Sequence, residues 1–581
     1  MRYITQIWSS ENDSILYFIQ RLEEMLFHYS DDIVKAPVHN TATLIIEYII
    51  LSKDNNIQNF HLDIVADELR ESLQNDLIIK ERIGVKKVQK LLDSLKCQQK
   101  DTVNYLSGLI SFPTYYGWCI EYLLNNISIA NAKTNIRQGL RSWISSVIWA
   151  GYTPEYVYRY LRLSFDKKVD EPLQAITSFV QHFNMEQKEF RVYFLFMSMA
   201  EPYRELLMKR LNVVFKDDGH FDSIYKKDNK SFVGYIDVKA IDPYCATQKA
   251  HQNLDIFVSF YRVISNRKKD LIAKNATVRD IVTNEEIKLP VAPRGYNVIE
   301  VEPQLNLVQQ IDTAVIGCQS KHQKTYISLN KIITLHNMAL RQVDLADGFV
   351  NLWSVLEVVS KGVEKKSKID AVVYSILPIL HNDYFIKYFM TILEDLKTAL
   401  PKIVFANLMN KVTQGESEIF KLMCLIFLPE YKKILDECFT ELSQYPNIRQ
   451  KIYKMWLLRK RRNEVFNLSE RYAKRLKWHL YRLYRVRNGI VHAGETDKNI
   501  QVLGEHLHIY CDGVILEIIT KLSSDVSLMT LNDVLLDTRL LNETKKEFFD
   551  LPGDIIVEDI KFMLMGSFKE IETETNSADN T

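Results

Sequence analysis

Three residues able to act together on a phosphate stand within one short segment, Tyr484-Arg485-Val486-Arg487-Asn488-Gly489-Ile490-Val491-His492-Ala493-Gly494. Asn488 and His492 are four apart, so a helix stacks them on one face. Arg487 and His492 are five apart, about 140° around a helix at 100° per residue, so Arg487 flanks that face. Its long side chain must then reach a shared ligand. Gly489 inside the pattern costs about 1 kcal/mol relative to alanine and marks a kink or a close backbone approach.

The chemistry this trio suits is phosphodiester cleavage in RNA. A histidine takes the 2′-OH proton or protonates the leaving 5′-oxygen near neutral pH. An arginine offers a bidentate fork to the phosphate and its developing charge. An asparagine orients either group. RNA carries its own nucleophile, so no metal is required. A plainer reading fits the same residues: His492 caps a helix C-terminus, where an imidazolium is favoured, and Arg487 makes a surface salt bridge.

The stretch before the trio is strongly basic. From Arg449 to Arg487 there are fourteen arginines and lysines against Glu464 and Glu470, an excess of 14 − 2 = 12 in a chain whose formal net charge is +1. Arg459, Lys460, Arg461, Arg462, Lys474, Arg475, Lys477, Arg482 and Arg485 are the candidate RNA contacts. Tyr453, Trp456, Tyr472, Trp478, Tyr481 and Tyr484 interleave with the cations. Cations beside aromatic faces suit a phosphate backbone and unstacked bases. The same pattern also describes two helices with an aromatic core face and a basic wet face.

The elements that must hold these residues are mostly helical. From residue 1 to about 210 apolar residues recur at helical spacings, as in Ile15-Phe18-Ile19-Leu22, and predict stacked amphipathic helices. Trp118, Trp143 and Trp149 are assigned to their core. Residues 211–324 read as a small α+β segment. In it Phe232–Val238, Thr277-Val278 and Val298–Val301 have strand composition, and a helical pattern runs from Ala246 to Ile264. From Thr325 the chain is helical again, with runs at Asn330–Leu340, Phe349–Val359, 366–395, 400–428 and 430–443. The helix that ends in the trio is expected to open at an N-cap, Asn467 or Ser469, and another helix to span 498–522. The fold class is therefore mainly α. It comprises an N-terminal helical region (1–210), the α+β segment, a C-terminal helical bundle (325–535), and an extension (536–581) whose acidic tail from Glu570 is expected to be disordered.

Other function classes find no footing. The chain has no Gly-x-x-x-x-Gly-Lys loop, Gly-x-Gly-x-x-Gly turn, His-Glu-x-x-His helix or Gly-x-Ser-x-Gly elbow. Glu505-x-x-His508 with His506 offers metal-ligand residue types, but nothing nearby completes a set, so they read as solvent-facing or core histidines. No metal or other cofactor is expected. Seven scattered cysteines without a Cys-x-x-Cys pair suggest reduced thiols. With no signal-like start and no apolar run near the ~20 residues of a membrane span, a cytoplasmic protein is expected, with no membrane partner.

Arg487-Asn488-x-x-x-His492 resembles the Arg-x4–6-His signature, in its Arg-Asn form, of HEPN ribonuclease domains. The bare spacing recurs at Arg21-x6-His28 on a plain amphipathic helix. The weight therefore rests on the Arg-Asn form, the helix end and the flanking glycines. Upstream, Ala339-Leu340, Asp344–Asp347 and Asn351-Leu352-Trp353-Ser354-Val355-Leu356-Glu357 are similar to the second-helix pattern of ApeA-like HEPN proteins of anti-phage defence. Ile236–Phe257 resembles the strand and helix that precede it. The resemblance covers 325–530 closely and 230–325 loosely.

It implies a HEPN-type helical bundle that forms a homodimer or higher oligomer, joining two copies of the motif in one cleft. It also implies a metal-independent endoribonuclease that cuts tRNA or mRNA and leaves a 2′,3′-cyclic phosphate. Glu357 matches an acidic residue that supports the site, so Arg487, Asn488, His492 and Glu357 are the candidate catalytic residues. Residues 366–445 would be an insertion. A toxic effector of abortive infection, with a phage-derived trigger, is the implied setting. The N-terminal parts would sense, restrain or position it. The alternative is a non-catalytic HEPN module that binds RNA or a nucleotide beside a partner protein.

Overall fold

The computed structural model describes residues 13–27, 39–54, 57–129, 132–166, 170–215, 231–265, 272–291, 305–342, 344–415, 417–524 and 530–566. Among the described residues the protein is mainly α, with one small antiparallel sheet. No helix among them is long and apolar enough to cross a membrane.

Ten helices run between Asp13 and His182 among the described residues. Ile15, Phe18, Ile19 and Leu22 are fully buried, as their spacing predicts, and so is Trp143. Trp118 and Trp149 are partly buried against the same core. The first helix, Asp13–Phe27, packs on Lys133–Trp149 and on Pro446–Leu458 from the far end of the chain. One continuous apolar core therefore joins the N-terminal helices to the C-terminal ones.

The sheet has four strands: β1 (Lys188–Met197), β2 (Ser231–Ala240), β3 (Ile272–Asp280) and β4 (Glu286–Pro290), in the order β2-β1-β3-β4. All neighbours are antiparallel, and Val192 faces Ile236 on one side and Val278 on the other. β2 and β3 contain two of the three predicted strands. The third, Val298–Val301, lies outside the described residues, as does the tail from Glu570.

β1 corrects the expectation of helix throughout 1–210. Phe190, Val192, Phe194 and Phe196 alternate along it and are buried, which is the period of a pleated strand. They share a separate core with Ala246, Ala250 and Leu254 of the helix Pro243–Ser265. The alanines let that helix lie close to the sheet.

The C-terminal helices start at Leu305, earlier than the composition change suggests. The central one is Leu345–Val359, capped by Asp344, whose carboxylate accepts from the Asp347 N–H at 2.9 Å. Its Phe349, Leu352, Trp353, Val355, Leu356 and Val359 are buried. It packs against Gln323–Arg341 and Ile500–Ser524. Arg487 and Asn488 end a 27-residue helix, Arg462–Asn488, about 40 Å long at 1.5 Å per residue. It opens at Arg462, not at Asn467 or Ser469: the Ser469 hydroxyl instead donates to the Phe466 carbonyl at 2.8 Å inside the helix. Lys368–Asn382, from the segment expected as an insertion, packs directly against this long helix.

Candidate active site

The long helix leaves α geometry at Gly489, and Gly489–Ala493 form a π-helical turn. Gly494 stops it in the left-handed region, at φ 68°, where a glycine carries no Cβ penalty. Its N–H donates to the Ile490 carbonyl at 3.2 Å, and the Glu495 N–H to that of Gly489 at 3.1 Å. Gly489 thus sits where the α-helix gives way to the π turn. A π turn closes i→i+5 bonds, so it carries His492 nearer to the side of Arg487 than an α-helix would. Such turns recur at functional sites.

Arg487 is the best-defined member of the trio. Its Nη2 lies 3.5 Å from Glu357 Oε1, and its Nη1 donates to Asn488 Oδ1 at 3.2 Å. Glu357 Oε1 also accepts from Trp353 Nε1 at 3.0 Å, and Trp353 is fully buried. A rigid indole therefore orients the carboxylate, and the carboxylate orients the guanidinium. His492 is exposed on the π turn. Among the described contacts, none joins it to Arg487, Asn488 or Glu357. The structure thus brings three of the four candidate catalytic residues into contact and leaves the imidazole facing solvent at the tip.

Part of the basic segment is matched by acids that are distant in sequence. Lys451 is buried between Glu24 and Asp395, and Arg462 pairs with buried Asp559 under the Phe548 ring. Arg461 is 3.1 Å from Glu464. Lys474 reaches Asp67 at 3.3 Å and Glu71 at 3.2 Å. Arg459 stacks over Trp456 at 3.9 Å. Arg475 Nε donates to the Arg471 carbonyl at 3.4 Å. Lys460 and Lys477 are exposed.

Arg482 and Arg485 must be removed from the expected RNA contacts. Their side chains are only 7% and 9% exposed. Arg482 Nε and Nη2 hold both oxygens of Glu47 at 3.0 and 2.8 Å, and Nη2 also reaches Glu68 at 2.5 Å. Arg485 pairs with the same Glu47. A cation that must leave a buried carboxylate before meeting a phosphate is poorly placed for it.

The acids come from the helices Thr41–Lys53 and Asn59–Asn75. Burial alone would raise the Glu47 carboxyl, but Arg482, His39 and Arg485 outweigh it and hold the group well below the usual range. His39, beside Glu47 and Trp149, is pushed down to about 3 by burial and by Arg482. Glu47 and Glu68 are the residues that sequence reasoning missed. A signal existed for Glu47: it is the lone charge in the apolar run Thr43–Leu51.

Two further features stand on neighbouring parts of the chain. A cleft of about 1230 Å³ is lined by Thr153, Lys249, Arg341, Asp344 and, shortly past His492, by Thr496 and Lys498. Of Glu505, His506 and His508, the last stands with further ligand-type groups, His336 and Asp512. His506 lies instead 3.4 Å from His479.

No family model matches the chain, and no curated protein or solved structure matches it.

Proposed function

We propose that this protein is a metal-independent endoribonuclease of HEPN type, built around Arg487, Asn488, His492 and Glu357. The observation that carries the reading is the pairing of Arg487 with Glu357 and Asn488 at the foot of a π turn that presents His492 to solvent. His492 takes the proton of the ribose 2′-OH, the freed oxygen attacks the adjacent phosphorus, and the 5′-oxygen leaves, taking a proton from solvent. Arg487 faces the charge that builds on the phosphate oxygens. Glu357, held by Trp353, fixes the guanidinium. The products are a 2′,3′-cyclic phosphate and a 5′-hydroxyl.

The role we infer is that of a toxic effector of anti-phage abortive infection, acting as a homodimer on tRNA or mRNA in the cytoplasm. The exposed turn leaves His492 accessible to a second copy. Restraint by the N-terminal region is supported by Glu47 and Glu68, which grip the last turns of the helix that ends in the motif.

Purified protein is incubated with total tRNA and with mRNA in EDTA, beside Arg487→Ala and His492→Ala variants checked for folding. Cleavage by the parent alone, leaving 2′,3′-cyclic ends, supports the reading and both residues. Cleavage by all three overturns it. RNA binding with steep salt dependence and no cutting under any condition favours a non-catalytic binding module.

A further inference from the structure

We propose that His336, His508 and Asp512 form a binding site for a zinc-class divalent metal ion. His508 and Asp512 are four apart on Ile500–Ser524, so the helix brings them to one face. His336 comes from the separate helix Gln323–Arg341. Its Nε2 lies 2.7 Å from Asp512 Oδ1, and His508 Nδ1 lies 3.1 Å from Asp512 Oδ2. The two imidazole centroids are 5.0 Å apart, and one ligand atom from each of the three residues lies within 4.8 Å of the others.

Both histidines thus aim a ring nitrogen at one carboxylate, the convergence that a shared ion requires. Two imidazoles and one carboxylate are a donor set for zinc or a similar transition ion, and a poor one for calcium or magnesium, which prefer oxygen. The surroundings fit a site open on one side. His508 is buried, while Asp512 is 48% exposed. Solvent therefore reaches the carboxylate and can supply a fourth ligand, completing a tetrahedron.

The ion would pin two helices that both pack on Leu345–Val359, the helix that carries Glu357. It would act as a clamp on the frame of the candidate active site. The site does not depend on the nuclease reading.

The full-length protein, stripped with chelator and exchanged into metal-free buffer, is titrated with Co²⁺ and then with Zn²⁺. The expected result is one Co²⁺ per chain with a visible ligand-field band, displaced by one equivalent of Zn²⁺. Asp512→Asn and His336→Gln should abolish the band and weaken Zn²⁺ binding by more than about tenfold. Thermal melts check that these two variants remain folded. No stoichiometric binding by the parent protein overturns the site whatever the variants do. Unchanged binding in both variants, or a thiolate charge-transfer band in place of the ligand-field spectrum, overturns it equally.

Discussion

Arg487 Nη2 lies 3.5 Å from Glu357 Oε1, and that carboxylate is itself held by the buried Trp353 indole. The pair makes the role of each member separable. Arg487→Ala should lower RNA cleavage by about 10²–10³, the usual effect of losing a donor aimed at developing charge. Trp353→Phe keeps an aromatic ring but removes the hydrogen bond to Glu357 and leaves a small cavity in the core. It should cost about 2 kcal/mol in urea denaturation and reduce cleavage less than Arg487→Ala does. Equal losses of cleavage would mean that Trp353 acts through the fold and not through Glu357.

Glu47 offers a test of the hold that the N-terminal helices have on the motif helix. Glu47→Ala strands two nearly buried guanidiniums, one of which retains Glu68. A loss of about 3 kcal/mol in chemical denaturation is expected. Glu68→Ala should cost less, because Arg482 keeps both oxygens of Glu47. An unchanged midpoint in Glu47→Ala would show that the cluster contributes nothing to stability.

Acid should weaken the fold well before the usual carboxylate range. Burial holds His61 and His381 down to about 4, from an ordinary 6.5, and His39 to about 3. The unfolded chain therefore takes up protons first, so this stability is present above pH 6.5 and is lost as pH falls towards 4. Buried carboxyls act in the opposite sense, among them Glu517 and Asp242. Burial raises Glu517 to about 7 and Asp242 to about 6, so their contribution is present at low pH and is lost as pH rises through those values. Melting temperature measured from pH 8 to pH 4 should fall towards acid. His61→Phe, at a position flanked by the Phe60 and Tyr484 rings, should flatten that fall. An identical profile in the variant would remove His61 from the account.

Local patterns carried most of the fold. The helices around Ile15–Leu22 and Phe349–Val359, the strands at 232–238 and 277–278, and the helix end at Gly494 all follow from periodicity and glycine. β1 had its own signal, the alternation Phe190-Val192-Phe194-Phe196, but it sits directly after ten helices and its partners come later in the chain. The site was legible where it is local, at Arg487 and Asn488, and in the Trp353/Glu357 spacing on one helix. The partners of Arg482 and Arg485 were not, because an ion pair depends on distance in space and no spacing rule links position 47 to position 482.

The pairing of the long helix with Glu47, Asp67, Glu68 and Glu71 has a further consequence. These carboxylates are tethered counterions. At Lys474, Arg482 and Arg485 a polyanion gains little entropy from ion release, since the neutralising charges are covalently attached and stay in the molecule, whereas Lys460 and Lys477 stay exposed. The share of polyelectrolyte attraction that these three cations could add is thus set by how firmly the first helices are docked. A chain shortened past them would expose both apolar core and uncompensated cations, and would adhere to nucleic acid whether or not it could cut it.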